Sequence, residues 1–370
     1  LRTATSALGN MAQMDWRSGA LHITGVDGAR LDDVALPSLL SLGAGRELRV
    51  DQTLSLGPNS TLLLSGGRLR AGTLALDNAV LASTAGGAYA LNMSDIGLLS
   101  GQGQVAASIS GGSVQSRIAA TGPLTLGLAA RTDGFYFVGH LDVGSQQVVL
   151  LDRDLADLGA LTTLADGGRL ASVNGVRLLP GDVMRSDGSA SVQGTLVNVG
   201  DVHAATGHLD LLGPVRGSGS FAGDVRFLAG YEPGNSTAEV NFHGGNVSFG
   251  PYSVLTMEVN GTQAGSEHDR LFDIGTLTFQ GTLSLVFGSG FDAPQGATLS
   301  LFDFDSFIGR IDAGNVRVTG FDASRLDLSH LGVDGTLRVT AVPEPASWGL
   351  MLAGLLGLGG WRRRRAACRV

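Results

Sequence analysis

The sequence predicts an all-β protein whose body is a β-solenoid. Glycine supplies 57 of the 370 residues, which is about twice its usual share of roughly 7%, while aromatic residues make up only 6%. Apolar and polar residues alternate in short runs that end at Gly, Asn or Asp, and no stretch of the body keeps a helical period. Short strands separated by tight turns are therefore expected throughout.

The clearest example of this pattern is the stretch 53–81, TLSLGPNSTLLLSGGRLRAGTLALDNAVL. Leu54 and Leu56 alternate with polar residues before a break at 57–59, and the same alternation then returns. Strands this short bury little surface singly, and they become stable when stacked coils cover one another's apolar faces. The sequence shows no fixed repeat length. A β-sandwich, which is also built from short strands and turns, is the alternative.

The sequence divides into a Gly-rich solenoid-like region (1–235), a C-terminal β-rich capping region (236–340) and a tail (341–370). Phe becomes more frequent from about Ala229. Residues 213–340 resemble the closing part of Gly-rich autotransporter passengers, through the stretches Pro233-Gly234-Asn235-Ser236, Leu255–Val259, Asp269-Arg270-Leu271 and Gly281-Thr282-Leu283. That resemblance implies a module that covers the last coil and protects an open sheet edge.

The tail has three parts that occur nowhere else in the chain. Val342-Pro343-Glu344-Pro345 is expected to be extended, because proline lacks an N–H and biases the residue before it away from the helix. A run of fourteen uncharged residues follows, and as a helix it would be about 21 Å long. The predicted membrane-span residues are Trp348, Leu350, Leu352, Leu355, Leu356, Leu358 and Trp361. The cluster Arg362, Arg363, Arg364 and Arg365 would remain cytoplasmic.

This order of motif, apolar run and arginine cluster resembles the PEP-CTERM sorting signal. The resemblance implies an exported bacterial protein, whose tail is held transiently in the inner membrane and cleaved near Pro345 by an exosortase-type transpeptidase. It also implies a mature body at the cell surface or outside the cell, linked to exopolysaccharide or biofilm. A plain C-terminal anchor is the alternative. The chain begins at Leu1, so we expect an export signal upstream of it.

Charge and composition exclude several functions. Residues 1–340 hold 20 Arg and 32 acidic residues, a net charge of −12, whereas the tail holds five Arg and one Glu. An acidic body argues against a nucleic-acid partner. All 25 basic residues are Arg, so no lysine chemistry is available. The single cysteine, Cys368, excludes an intrachain disulfide and a cysteine-based metal site.

Candidate sites for chemistry are few, and we predict neither a metal nor a cofactor. Paired carboxylates could serve a polysaccharide lyase or hydrolase, and the pairs are Asp32 with Asp33, Asp152 with Asp154, and Asp303 with Asp305. We expect solvated charges in all three, with the last pair on an outer strand face. His203 and His208 lack further ligand spacing for zinc. Thr276-Leu277-Thr278 and Thr3-Ala4-Thr5 are too isolated for a regular ice-binding array.

The sequence therefore favours a structural or adhesive surface protein rather than an enzyme. A carbohydrate-active β-helix enzyme is the second hypothesis, and an ice-binding protein is a minor one. An arginine beside clustered carboxylates in one groove is the feature that would favour the enzyme.

Overall fold

In a computed structural model, the residues described are 2–3, 19–23, 29–31, 39–84, 91–127, 135–151 and 155–340. Their strands are β1 (Arg2–Thr3), β2 (Gly19–Ile23), β3 (Ala29–Leu31), β4 (Leu39–Gly43), β5 (Arg46–Leu56), β6 (Thr61–Ser65), β7 (Arg68–Ser83), β8 (Leu91–Asn92), β9 (Ile96–Ala106), β10 (Ile109–Gly111), β11 (Arg117–Gly127), β12 (Phe135–Phe137), β13 (His140–Asp142), β14 (Gln147–Leu151), β15 (Ala156–Asp157), β16 (Leu161–Ala165), β17 (Arg169–Ser172), β18 (Val176–Leu178), β19 (Val183–Asp187), β20 (Ala190–Gln193), β21 (Leu196–Asn198), β22 (Asp201–Leu211), β23 (Pro214–Gly217), β24 (Ser220–Phe227), β25 (Gly230–Pro233), β26 (Glu239–Phe249), β27 (Val254–Val259), β28 (Arg270–Phe279), β29 (Thr282–Phe287), β30 (Thr298–Ser300), β31 (Phe302–Gly309), β32 (Val316–Thr319), β33 (Leu326–Asp327) and β34 (Thr336–Val339). A single-turn 3₁₀-helix within the described residues covers Ala323–Arg325.

The strands stack into a β-solenoid, which confirms the predicted fold class over the sandwich alternative. Each coil in the middle of the body has three arms. In one coil, β19 and β20 belong to a 20-stranded sheet and β21 belongs to an 11-stranded sheet. The following coil repeats the arrangement, since β22 bends and pairs with both β19 and β20, while β23 pairs with β21. These pairings are parallel, as stacked coils require.

The coils differ in length, which explains why the sequence shows no fixed period. Val215 pairs with Leu196 on one side and with Tyr231 on the other, 19 and 16 residues away along the chain. Further on, Leu283 pairs with Val316, 33 residues away. The additional residues are accommodated in the turns between strand arms and in β-bulges, where the register of several pairings shifts.

Side chains on alternate positions fill one continuous core. Strand β6 shows the pattern, with Leu62 and Leu64 buried and the intervening residues partly exposed. Leucine dominates the interior of the early coils. Aromatic rings fill the interior between β24 and β28, where Phe221, Phe227, Tyr231, Phe242, Phe249 and Phe279 are all buried. Burial of this apolar surface is the main force that holds neighbouring coils together.

Glycine is required where the backbones of two coils approach at a corner. Gly223 lies at the bend of β24 with a φ of +77°, and a Cβ there would lie 1.8 Å from the carbonyl oxygen of Ala204 on the preceding coil. Both the positive φ and the close approach exclude a side chain. The high glycine content of the sequence thus has a structural cause at this corner.

The parallel pairing continues across residue 235, through β26 and β28 to β31 and through β27 and β29 to β32. A three-stranded antiparallel sheet, in the order β30-β34-β33, follows at the C-terminal end of the solenoid. The predicted division at residue 235 between body and capping region remains a prediction.

The described residues contain no helix that is long and apolar enough to cross a membrane. The C-terminal transmembrane helix predicted over Trp348–Trp361 lies outside the described residues.

Candidate functional site

An open groove of about 390 Å³ lies on the outside of the early coils. Its walls come from three successive stretches of chain, which belong to β5, to β7 and to the turn before β9. The lining residues are Arg49, Val50, Asp51, Arg70, Ala71, Gly72, Ser94 and Asp95. We call this feature the Arg49–Asp95 groove.

The groove forms where one face of the solenoid changes from one sheet to the other. Residues 68–71 pair in register with 47–50 of the preceding coil, within the 20-stranded sheet. The pairing of β7 with β9 starts only at Ala71, opposite Ile96. The segment just before Ile96 instead contains β8, which opens the 11-stranded sheet by pairing with β10. Because the pairing with β9 begins only after Arg70, a turn and not a strand lies next to Arg70 on this side. We call this change of partner the step.

Ion pairs line this step, one between coils and one within a strand. Arg68 donates two hydrogen bonds to Asp95, from Nε to Oδ2 at 2.9 Å and from Nη2 to Oδ1 at 2.7 Å. These bonds raise the pKa of the Arg68 guanidinium above its usual value. Arg49 Nε donates to Asp51 Oδ1 at 2.9 Å. The two carboxylates of the groove, Asp51 and Asp95, are therefore already paired with a guanidinium.

Arg70 is bound less completely. Its Nε lies 3.3 Å from Asp95 Oδ1 and 3.6 Å from Glu47 Oε1, and this enclosed nitrogen has no hydrogen-bond partner among the described residues. The guanidinium is thus held in place by charge while its capacity to donate hydrogen bonds is incompletely used. The groove is equipped to bind an oxygen-rich ligand, because five N–H donors in a planar fork match carboxylate and hydroxyl oxygens.

A second polar centre, around Asp269, lies inside the capping region. Only 1% of Asp269 is exposed, and its two oxygens accept hydrogen bonds from the backbone N–H groups of Ala238 and Glu258, each at 2.7 Å. Burial raises the pKa of Asp269 to about 7, although the two N–H donors act in the opposite direction. Because the carboxylate is enclosed, its role is to join three segments of the solenoid.

In the sequence analysis, Asp269 is named only as part of an Asp-x-Leu stretch, and the burial of this residue is not predicted. A signal was present in the alternation. Residues 269 and 271 lie on the same side of an extended chain, and Leu271 is fully buried. An acidic residue in phase with buried leucines indicates an inward-facing carboxylate that needs partners.

Of the predicted carboxylate pairs, Asp303–Asp305 is the one within the described residues. Asp303 and Asp305 are exposed on β31, and Asp303 Oδ2 accepts a hydrogen bond from Arg270 Nη2 at 3.3 Å. The pairs Asp32–Asp33 and Asp152–Asp154 lie outside the described residues.

The histidine candidates and Thr276-Leu277-Thr278 also lie in ordinary surface settings, while Thr3-Ala4-Thr5 extends outside the described residues. His203 is exposed, and His208 Nδ1 is 3.2 Å from Ser189 Oγ. In the part of the chain that the structure describes, no three His, Cys, Asp or Glu side chains are grouped to hold a metal. Thr276 and Thr278 lie opposite Ser306 and Ile308 on the next coil, so the Thr-x-Thr pattern is not repeated there.

The predicted sorting residues lie at 342–365, outside the described residues. The comparison with known families provides the evidence for them. Residues 341–365 match the PEP-CTERM protein-sorting motif. The match covers the Pro-Glu-Pro segment, the apolar run and the arginine cluster. The PEP-CTERM motif indicates an exported protein that an exosortase processes at the membrane. No curated protein matches the chain, and the resemblance of the body to autotransporter passengers is not confirmed.

Proposed function

We propose that this protein is a structural or adhesive component of the bacterial cell surface or extracellular matrix. An exosortase would cleave the PEP-CTERM tail near Pro345 and release the solenoid into a layer of exopolysaccharide. The single observation that carries this proposal is the sorting motif, matched at residues 341–365, directly behind a β-solenoid. A β-solenoid fold suits a surface protein because its stacked coils form an extended rod with a long exposed surface.

The construction of the rod supports a role outside the cell. Neighbouring strands are about 4.8 Å apart, so the 11-stranded sheet of the described residues extends over roughly 50 Å. Ion pairs join adjacent coils on its surface, such as Arg177 with Asp157 at 2.6 and 2.9 Å and Arg216 with Glu232 at 3.0 Å. Each exposed pair contributes about 0–1 kcal/mol, so the apolar core supplies most of the stability, without a disulfide.

The sorting step is tested by replacing Pro343-Glu344-Pro345 with three alanines in a host that contains an exosortase. We expect the variant to remain in the membrane fraction at its unprocessed mass, because the extended segment that the enzyme grips is lost. Immunoblots of membrane, surface and medium fractions measure the outcome. A matched control, Pro180→Ala in a turn of the body, should be processed like the wild type. Normal processing of the triple variant would reject the proposal.

A carbohydrate-active enzyme remains the second candidate, and the Arg49–Asp95 groove is the observation that favours it. Arginine and carboxylates meet there in one open groove, which is the arrangement that such an enzyme needs. The structural proposal predicts that the purified full-length chain releases no reducing ends or unsaturated products from a panel of bacterial and plant polysaccharides. Turnover that disappears in Asp95→Asn but persists in Asp303→Asn would favour the enzyme instead.

A further inference from the structure

We propose that the Arg49–Asp95 groove is a binding site for an acidic saccharide, with a uronate carboxylate held by Arg49 and Arg70. The inference deepens the proposed function, on which it rests, by naming the class of matrix polymer that the body binds and the place where it binds.

Exposure within the groove favours an anionic ligand. The side chains of Arg49, Arg68 and Arg70 are 48%, 49% and 36% exposed, whereas those of their partners Asp51 and Asp95 are 33% and 11% exposed. Glu47, the other partner of Arg70, is 32% exposed. Each arginine is thus more exposed than the carboxylates that pair with it, by the largest margin at Asp95.

The two arginines that would bind the ligand are neighbours across coils. Arg49 on β5 and Arg70 on β7 are register partners, so their side chains leave the same face about 4.8 Å apart. Arg70 Nε is enclosed and has no hydrogen-bond partner among the described residues, so a ligand would be bound through the Nη groups of this side chain, which is 36% exposed. A carboxylate can accept two parallel N–H bonds from a guanidinium, which is stronger than a neutral hydrogen bond and specific in direction.

The remaining walls suit the rest of a sugar ring. Ser94 is exposed at the rim, where its hydroxyl can exchange hydrogen bonds with sugar hydroxyls. Gly72 lines the groove, and a Cβ there would lie 2.6 Å from the carbonyl oxygen of Asp51. Glycine at this position thus permits the close approach of the two coils from which the groove is built.

The overall charge of the body means that uronate binding would depend on these particular arginines. Residues 1–340 carry a net charge of −12, so the body as a whole repels an anionic polymer. Affinity for a uronate would therefore come from a local arrangement of arginines and not from general attraction.

The test measures binding of a uronic-acid tetrasaccharide to the full-length chain by isothermal titration calorimetry, with a neutral glucose tetrasaccharide as the comparison ligand. We expect the wild type to bind the uronate at least tenfold more tightly than the neutral sugar. The double variant Arg49→Gln/Arg70→Gln should lose about tenfold or more in affinity, in line with the loss of charged hydrogen bonds. Arg70→Lys, which keeps the charge and loses the fork, should bind more weakly than the wild type.

The matched control is Arg185→Gln. Arg185 pairs with Asp187 two residues along its strand, as Arg49 pairs with Asp51, and it is similarly exposed at 46%, but it lies away from the groove. Its variant should keep wild-type affinity, and circular dichroism shows whether each variant is folded. Equal loss in Arg185→Gln, equal binding of the neutral sugar, or no uronate binding by the wild type would overturn the inference. A chain that is sorted normally yet binds no uronate would overturn this inference alone.

Discussion

Asp269 shows how one buried residue joins distant parts of the chain. Its carboxylate accepts hydrogen bonds from the backbone N–H groups of Ala238 and Glu258, which lie 31 and 11 residues before it along the chain. A buried N–H without a partner costs about 1–3 kcal/mol. The carboxylate of Asp269 therefore stabilises the fold by satisfying these two N–H groups. Because this position is enclosed, we expect the proton on this group to affect the stability of the fold.

Asp269 should make the protein less stable as the pH rises from about 4 to 7. The pKa of Asp269 is about 7 in the folded chain against a usual 3.8, so the folded state keeps a proton that the unfolded state releases. Stability from this group is fully present below about pH 4 and is lost as the pH passes through 7. The expected loss is on the order of 1–4 kcal/mol.

Urea unfolding of the wild type and of Asp269→Asn, at several pH values between 4 and 7.5, isolates this contribution. Buried His268 has a lowered pKa because of desolvation, so its contribution rises with pH and opposes that of Asp269. The difference in unfolding free energy between wild type and variant should shrink with rising pH, since asparagine does not titrate. The exposed control Asp303→Asn should leave the pH profile unchanged. A constant difference between wild type and Asp269→Asn would contradict the prediction.

Among the structural elements, the aromatic stack between β24 and β26 shows how the wider coils are filled. Phe227 lies 4.7 Å from the ring of Tyr231 and 5.1 Å from that of Phe249, with near-parallel planes, and 5.4 Å from the ring of Phe221 at a steep angle. Tyr231 keeps its hydroxyl satisfied inside the core by donating to the carbonyl of Gly217 at 3.2 Å. Rings rather than leucines thus bridge the space between three coils.

Phe227→Ala should destabilise the protein by about 3–5 kcal/mol, because it removes a fully buried ring and leaves a cavity next to several others. Chemical denaturation measures the change in unfolding free energy. The matched control is Tyr252→Ala, since Tyr252 is 90% exposed and its loss should change stability by no more than about 0.5 kcal/mol. Similar costs for the two variants would show that the stack does not support the solenoid.

At the scale of the whole molecule, the described body is a rod of stacked coils. Each coil contacts its neighbours, so stability is close to a sum of coil and interface contributions, and coils of different length can be added without disturbing the rest. The net charge of −12 over residues 1–340 keeps such a rod soluble. The sorting motif at residues 341–365 follows the described solenoid along the chain.

The sequence by itself determined the two features that are local along the chain. Alternation with glycine breaks, as in residues 53–81, predicted the β-solenoid because strands and turns are specified by neighbouring residues. The Pro-Glu-Pro segment at 343–345, with its apolar run and arginines, predicted the sorting signal for the same reason.

Only the tertiary structure decided which residues meet across coils. The Arg49–Asp95 groove joins Arg49, Arg70 and Asp95 from three stretches, and Asp269 reaches Ala238 and Glu258. These partners could not be read from the sequence because turns of unequal length separate the coils, which puts stacked residues anywhere from 16 to 33 positions apart. Core packing and backbone pairing between coils set that register, and the register in turn sets the sites.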